Sequence, residues 1–192
     1  MTAALSSHAM AGDNVAVATP TQPIWLVEQP YAGQPLLTAR TYGDSTYGDY
    51  HVHATLQLSC RAGNPSAGLE FQIAPQPLGF DSDPYEGPDA SAHGPLLIGI
   101  GTQPAVSHGV SGRWADAGVF QVGNVFIFDT EVRRSELAYW VSDASRGQTV
   151  RLSLTAAKAG GKLLTAQFTL PRDNTGLKKA VAACLDAKPA PH

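Results

Sequence analysis

The stretch Tyr50–Arg61, YHVHATLQLSCR, decides how the chain is read. Taken with a period of two, Tyr50, Val52, Ala54, Leu56, Leu58 and Cys60 fall on one side, and His51, His53, Thr55, Gln57, Ser59 and Arg61 on the other. That is the signature of a β-strand with one face toward a core. The apolar face ends in a cysteine. The polar face carries two histidines at i, i+2, close enough on one side of a strand to act as a metal pair.

Working outward, the strand stops at a turn, Ala62–Gly68, and the next alternation sets Leu69, Phe71 and Ile73 against Glu70 and Gln72. The two read as a hairpin with a longish loop. Thr149–Ala156 and Leu163–Leu170 form the clearest hairpin, with Val150, Leu152 and Leu154 facing Leu164, Ala166, Phe168 and Leu170 across a turn at Ala159–Lys162. Leu96–Ile100 is a short apolar run expected as a buried strand, and Gly118–Phe128 is apolar enough for a central strand covered on both faces. Ile24–Val27 is expected as an edge strand or an anchor, and Tyr31–Asp49 as a loop whose two Tyr-Gly-Asp units, at Thr41 and Thr46, mark successive turns or a hairpin.

Two segments change period. Thr130–Ser145 carries Leu137, Trp140, Val141 and Ala144 at helical spacing, with Asp129 or Thr130 as N-cap and Gly147 as stop. Gly176–Ala187 follows a cap at Asp173, Asn174 or Thr175 and has an apolar stripe of Leu177, Val181, Cys184 and Leu185. Cys60 on the strand and Cys184 on the helix therefore both face inward. They are the only cysteines among 192 residues. An even count in a chain of this character favours a disulfide, and the alternative is two buried thiols that never meet. A bridge closing so long a loop could stabilise the fold by about 4 to 5 kcal/mol. The expectation is a mainly β, antiparallel, β-sandwich-like or curved domain over residues 31–187, with a connecting helix and a C-terminal helix. Residues 1–30 would be an export-signal remnant and arm, and 188–192 a tail.

Composition narrows the function. Charged residues make up 15% and the net charge is -3, so there is no basic footprint for nucleic acid or an anionic membrane. No run reaches the roughly 18 apolar residues of a spanning helix. Ala9–Ala11 resembles the end of an export signal, without a basic start or a full apolar segment; with the cysteines it points to an exported protein.

Motifs for chemistry are scarce. Ser107–Gly112 imitates a nucleophile elbow in composition but lacks its spacing, and both cysteines lie on apolar stripes without an adjacent base. The loop Ala74–Pro95 holds Asp81, Asp83, Glu86 and Asp89, without the register of a calcium-binding EF-hand loop. His51 and His53, with a third nitrogen from His93 or His108, make a metal site the alternative reading. Histidine pairs of this kind also occur as plain polar residues on a solvated sheet.

The strand ending Leu58–Arg61, the strand Val150–Leu154, and an ending with Phe168, Gly176, Leu177, Ala183 and Cys184 together resemble the type VI secretion-associated periplasmic proteins of the VasI/TagO type. Similar ends occur in other small exported β-proteins, the invasion-associated locus B type among them. The resemblance implies a periplasmic protein without catalytic residues or cofactor that acts by binding another protein, as a secretion accessory or as an immunity protein neutralising a delivered toxin. Two loops are candidates for the contact: Ala74–Pro95, with Asp81, Asp83, Tyr85 and Glu86, and Gly101–Gly118, with Ser107, His108, Arg113 and Trp114.

Overall fold

A computed structural model describes residues 22–30, 33, 35–116 and 123–187. The expectations for residues 1–21, for 118–122 and for the tail 188–192 lie outside the described residues. Strands β1 (Leu26–Glu28), β2 (Leu37–Tyr47), β3 (Tyr50–Cys60) and β4 (Ser66–Ile73) are followed by a one-turn helix, α1 (Pro75–Leu78). Then come β5 (Leu96–Ile100), β6 (Val106–His108), β7 (Ser111–Asp116) and β8 (Asn124–Arg133). Helix α2 (Arg134–Trp140), strands β9 (Thr149–Leu154) and β10 (Leu164–Thr169), and helix α3 (Thr175–Asp186) follow.

Among the described residues all strand–strand pairings are antiparallel, and the strands lie in the order β6-β5-β9-β10-β2-β3-β4-β8-β7, with β1 beside the first part of β2. The two ends of this series, β6 and β7, are separated in sequence only by Gly109 and Val110. Three steps along the chain span at most about 11 Å, so the sheet must curl until its outer strands meet. The mainly β domain with a curved sheet, a connecting helix and a C-terminal helix is thus what the chain forms.

Along the seam between β6 and β7 the closure is made by individual contacts. Thr130 Oγ1 donates to the Gly109 carbonyl at 2.7 Å, Val110 N–H to the His93 carbonyl at 2.8 Å, and His108 Nδ1 to the Glu131 carbonyl at 2.9 Å. The curl is filled by Leu56, Leu58, Leu69, Phe71, Phe126, Phe128 and Phe168, all buried. Phe71 stacks on Phe128 at 5.5 Å and meets Phe168 edge-on at 6.3 Å. Each such side chain contributes about 1.5–3 kcal/mol by leaving water.

Helix α3 lies against β3 and β2 at one end of the curl. Its stripe of Leu177, Ala180, Val181 and Cys184 is buried, and Cys184 is bonded to Cys60 with Cα atoms 5.8 Å apart. The Asn174 amide donates to the Val141 carbonyl at 2.7 Å and holds the start of α3 to the end of α2.

Several expectations change. Tyr31–Asp49 is not a loop: most of it is β2, paired with β3 along eleven residues from Leu37↔Cys60 to Tyr47↔Tyr50. Only the second Tyr-Gly-Asp unit turns, with Gly48 at φ +61°. The inward residues of β2 are Ala39, Thr41, Gly43 and Ser45, too small and polar to announce a strand. At Gly43 the reason is the neighbouring strand β10: a side chain there would strike the Gln167 carbonyl and the Phe168 ring. The turn-rich reading of 101–118 likewise gives way to β6 and β7. Leu96–Ile100 forms the expected strand but is covered on one face only, since Leu97 is exposed. The helix after β8 begins at Arg134, not Thr130, because Asp129 and Thr130 remain in the strand opposite Glu70 and Leu69.

The segment 74–95, read as structureless, is anchored. Leu78 and Tyr85 are fully buried, and the Tyr85 hydroxyl donates to the Thr155 carbonyl at 2.5 Å. Phe80 stacks on Tyr85 at 5.7 Å.

Candidate protein-binding groove at the sheet seam

On the outward face of the sheet a polar ladder crosses five strands. Arg40, Gln57, Glu70, Asp129 and Ser111 stand opposite one another in successive registers. Arg40 donates to Gln57 Oε1 at 2.7 Å, Gln57 Nε2 to Glu70 Oε2 at 3.1 Å, and Gln72 Nε2 to the same oxygen at 2.8 Å. Arg113 then closes the row, its guanidinium 2.8 Å from Glu70 Oε1 and 3.0 Å from Asp129 Oδ2. The antiparallel register alone produces this row, since it sets alternate side chains of neighbouring strands side by side.

Beside the ladder the surface sinks into a hollow of about 490 Å³ lined by Arg61, Ser66, Glu70, Arg113, Asp129 and Glu131. Its floor opens at Gly68, which stands between Ser59 and Glu131 and has no side chain. A second hollow of about 580 Å³ shares Ser111, Asp129, Thr130 and Glu131 with the first and continues over the seam to His93, Ser107, His108 and Arg133. The two make one open groove with charges of both signs. Within it, burial raises the Asp129 carboxyl above the usual range, Arg113 pulls it back and neighbouring Glu70 pushes it up again.

Of the sequence candidates, the fold brings Arg113, Ser107 and His108 to this groove. Glu86 is exposed and its backbone is bridged to Gly112 of β7, but it lines neither hollow. The others go elsewhere. Trp114 and Arg113 point to opposite faces of β7, as neighbours on a strand must; Trp114 packs edge-on against Phe126 at 5.3 Å while remaining partly exposed. They do not form a joint patch. Tyr85 is corrected from a contact residue to a core residue, because burial and the Thr155 carbonyl claim its ring and hydroxyl. Burial also raises its phenol above the usual value, with the Ala157 backbone acting the other way. Asp81 is exposed near Lys158 at 3.9 Å, and Asp83 is exposed on the short turn before Tyr85.

His108 also proves less available than a loop residue would be. Its side chain is 5% exposed, with Nε2 3.1 Å from Glu136 Oε2 but not aligned for a hydrogen bond. His51 and His53 share an exposed, outward face of β3, and His53 Nδ1 lies 3.0 Å from Asp44 Oδ1. Among the described residues no three metal-ligating side chains come together around them or elsewhere.

Sequence reading passed over Glu70, Asp129 and Glu131. Glu70 was visible as an outward residue of its strand, but Asp129 reads as a helix cap, and only the pairing of β4 with β8 joins the two. No helix of the described residues is long and apolar enough to cross a membrane. Comparison of the chain with family models, with curated proteins and with solved structures gave no match, and nothing in those comparisons bears on the VasI/TagO resemblance.

Proposed function

We propose that the chain is an exported, non-catalytic protein-binding domain that engages its partner through the groove over the β6–β7 seam. The observation that carries the reading is the groove itself: open, lined by charges of both signs and built across paired strands. A surface of this kind suits the rim and hydrogen-bonding groups of another polypeptide better than it encloses a small molecule. The Cys60–Cys184 disulfide supports an oxidising compartment. With the VasI/TagO resemblance, the compartment proposed is the periplasm and the role that of a type VI secretion accessory or of an immunity protein against a delivered toxin.

The test uses the purified chain as bait in an envelope extract, beside Arg61→Glu and Ser107→Arg, two rim changes that leave the core untouched. The reading expects one or a few proteins retained by the parent chain and lost with both variants. Retention of nothing, or retention unaffected by either variant, overturns it.

A further inference from the structure

Next to the groove, and reached by its residues His108 and Arg133 at Glu136, a separate pocket of about 360 Å³ opens between the β5–β6 hairpin and α2. Its walls are Ile98, Ile100, Pro104 and Val106 on the sheet side and the rings of Tyr139 and Trp140 on the helix. Only one lining residue is charged, Glu136. The volume falls within the range of small-molecule sites, which are mostly apolar with a few fixed polar groups.

The state of Glu136 indicates what such a site would take. Its side chain is only 18% exposed, yet its nearest cations serve it poorly. Arg133 Nε stands 4.0 Å from Oε1 on a side chain that is 76% exposed. His108 Nε2 is 3.1 Å from Oε2 without hydrogen-bond alignment. Nor can the ring turn to help, because its Nδ1 hydrogen is given to the Glu131 carbonyl. The carboxylate thus has a mostly exposed arginine at the edge of ion-pair distance and a histidine nitrogen close by but out of hydrogen-bond line, and neither gives it a well-made hydrogen bond. The buried Nε2 is left without a hydrogen-bond partner, a costly condition for a buried polar atom.

We propose that this pocket binds a small organic cation: a protonated amine carried on an apolar or aromatic body. The ammonium supplies aligned donors to Glu136, and the aromatic residues Trp140 and Tyr139, which line the same pocket, favour its positive charge. The body fills the space between the isoleucines and the helix. A neutral alcohol of the same shape would leave the carboxylate's charge unmatched, and a carboxylic acid would be repelled by it.

The probes are phenethylamine, 2-phenylethanol and phenylacetate, titrated into the full chain while methyl signals of Ile98, Ile100 and Val106 are followed by NMR. The amine is expected to shift these signals saturably, with a Kd on the order of 1 mM or tighter for so small a ligand. The alcohol should bind at least about tenfold more weakly and the acid not at all. Glu136→Gln, which keeps the side chain's shape, should reduce amine binding to the level of the alcohol, and Val106→Trp, which fills the pocket, should abolish it. Absence of saturable shifts, equal binding of amine and alcohol, or amine binding unchanged in Glu136→Gln overturns the proposal. None of these results depends on whether the seam groove binds a protein.

Discussion

Replacing both Cys60 and Cys184 by alanine removes the covalent tie between β3 and α3 while leaving α3's other buried residues, Leu177, Ala180 and Val181, in place. The bridge joins residues 124 positions apart. In the chain-entropy model a loop of that size lowers the entropy of the unfolded chain by an amount equivalent to about 5 kcal/mol at room temperature. That is a third or more of the total stability of an ordinary domain, about 5–15 kcal/mol, and corresponds to a melting temperature lower by about 10–20 °C for a chain of this length. Because both sulfurs are buried, a reductant reaches them through the unfolded chain, and its effect must be measured at equilibrium. Urea unfolding of the parent chain, with and without reductant, and of the double variant provides the assay. The expected result is a native circular dichroism spectrum for the variant, a midpoint shifted by about 5 kcal/mol in free energy, and a steeper denaturant dependence as the unlinked chain unfolds further. A difference below about 1 kcal/mol would refute the argument that the staple acts on the unfolded state.

Three further outcomes follow from individual contacts. Gly43→Ala forces a methyl against the Gln167 carbonyl and the Phe168 ring, and should cost about 3 kcal/mol in urea unfolding; an unchanged midpoint would mean that β2 and β10 do not approach so closely at Gly43. Tyr85→Phe removes the donor to the Thr155 carbonyl and should cost about 1–2 kcal/mol, together with faster proteolysis within 74–95; a silent substitution would contradict the anchoring of that segment. Asp129→Asn breaks an ion pair yet should not lower stability at pH 7. The aspartate's folded-state pKa is raised, chiefly by burial, so its charged form is the disfavoured one. The parent chain therefore loses stability relative to the variant as pH rises from the ordinary aspartate value through the raised one, and the difference levels off above it. A variant clearly less stable at pH 7, with no such trend, would reverse the sign of that argument.

Where side chains themselves alternate between apolar and polar, the sequence discloses the structure: the inward face of β3, the β9–β10 hairpin and the α3 stripe each follow from periodicity, and two of them place the disulfide. Where fit replaces hydrophobicity, it does not. The Ala39, Thr41, Gly43 and Ser45 face of β2 is small and polar, and at Gly43 the space is taken by Gln167 and Phe168 of β10, residues more than a hundred positions away. Tyr85 sits in a stretch of prolines and carboxylates that looks solvated, and only the fold supplies its burial. The groove is legible by a similar measure. Arg113 has the character of a binding residue in sequence, but its partners Glu70 and Asp129 are joined to it by strand register, and Trp114 beside it is turned to the opposite face by the same rule.

The central functional claim is that the seam groove meets another protein. A photoreactive phenylalanine derivative placed at exposed Ser107, within the groove, and separately at exposed His51, on the outward face of β3, tests it in cells that produce the protein. Irradiation should give a discrete adduct with a second polypeptide from position 107 and none from position 51. No adduct at 107, or the same adducts from both positions, would contradict it.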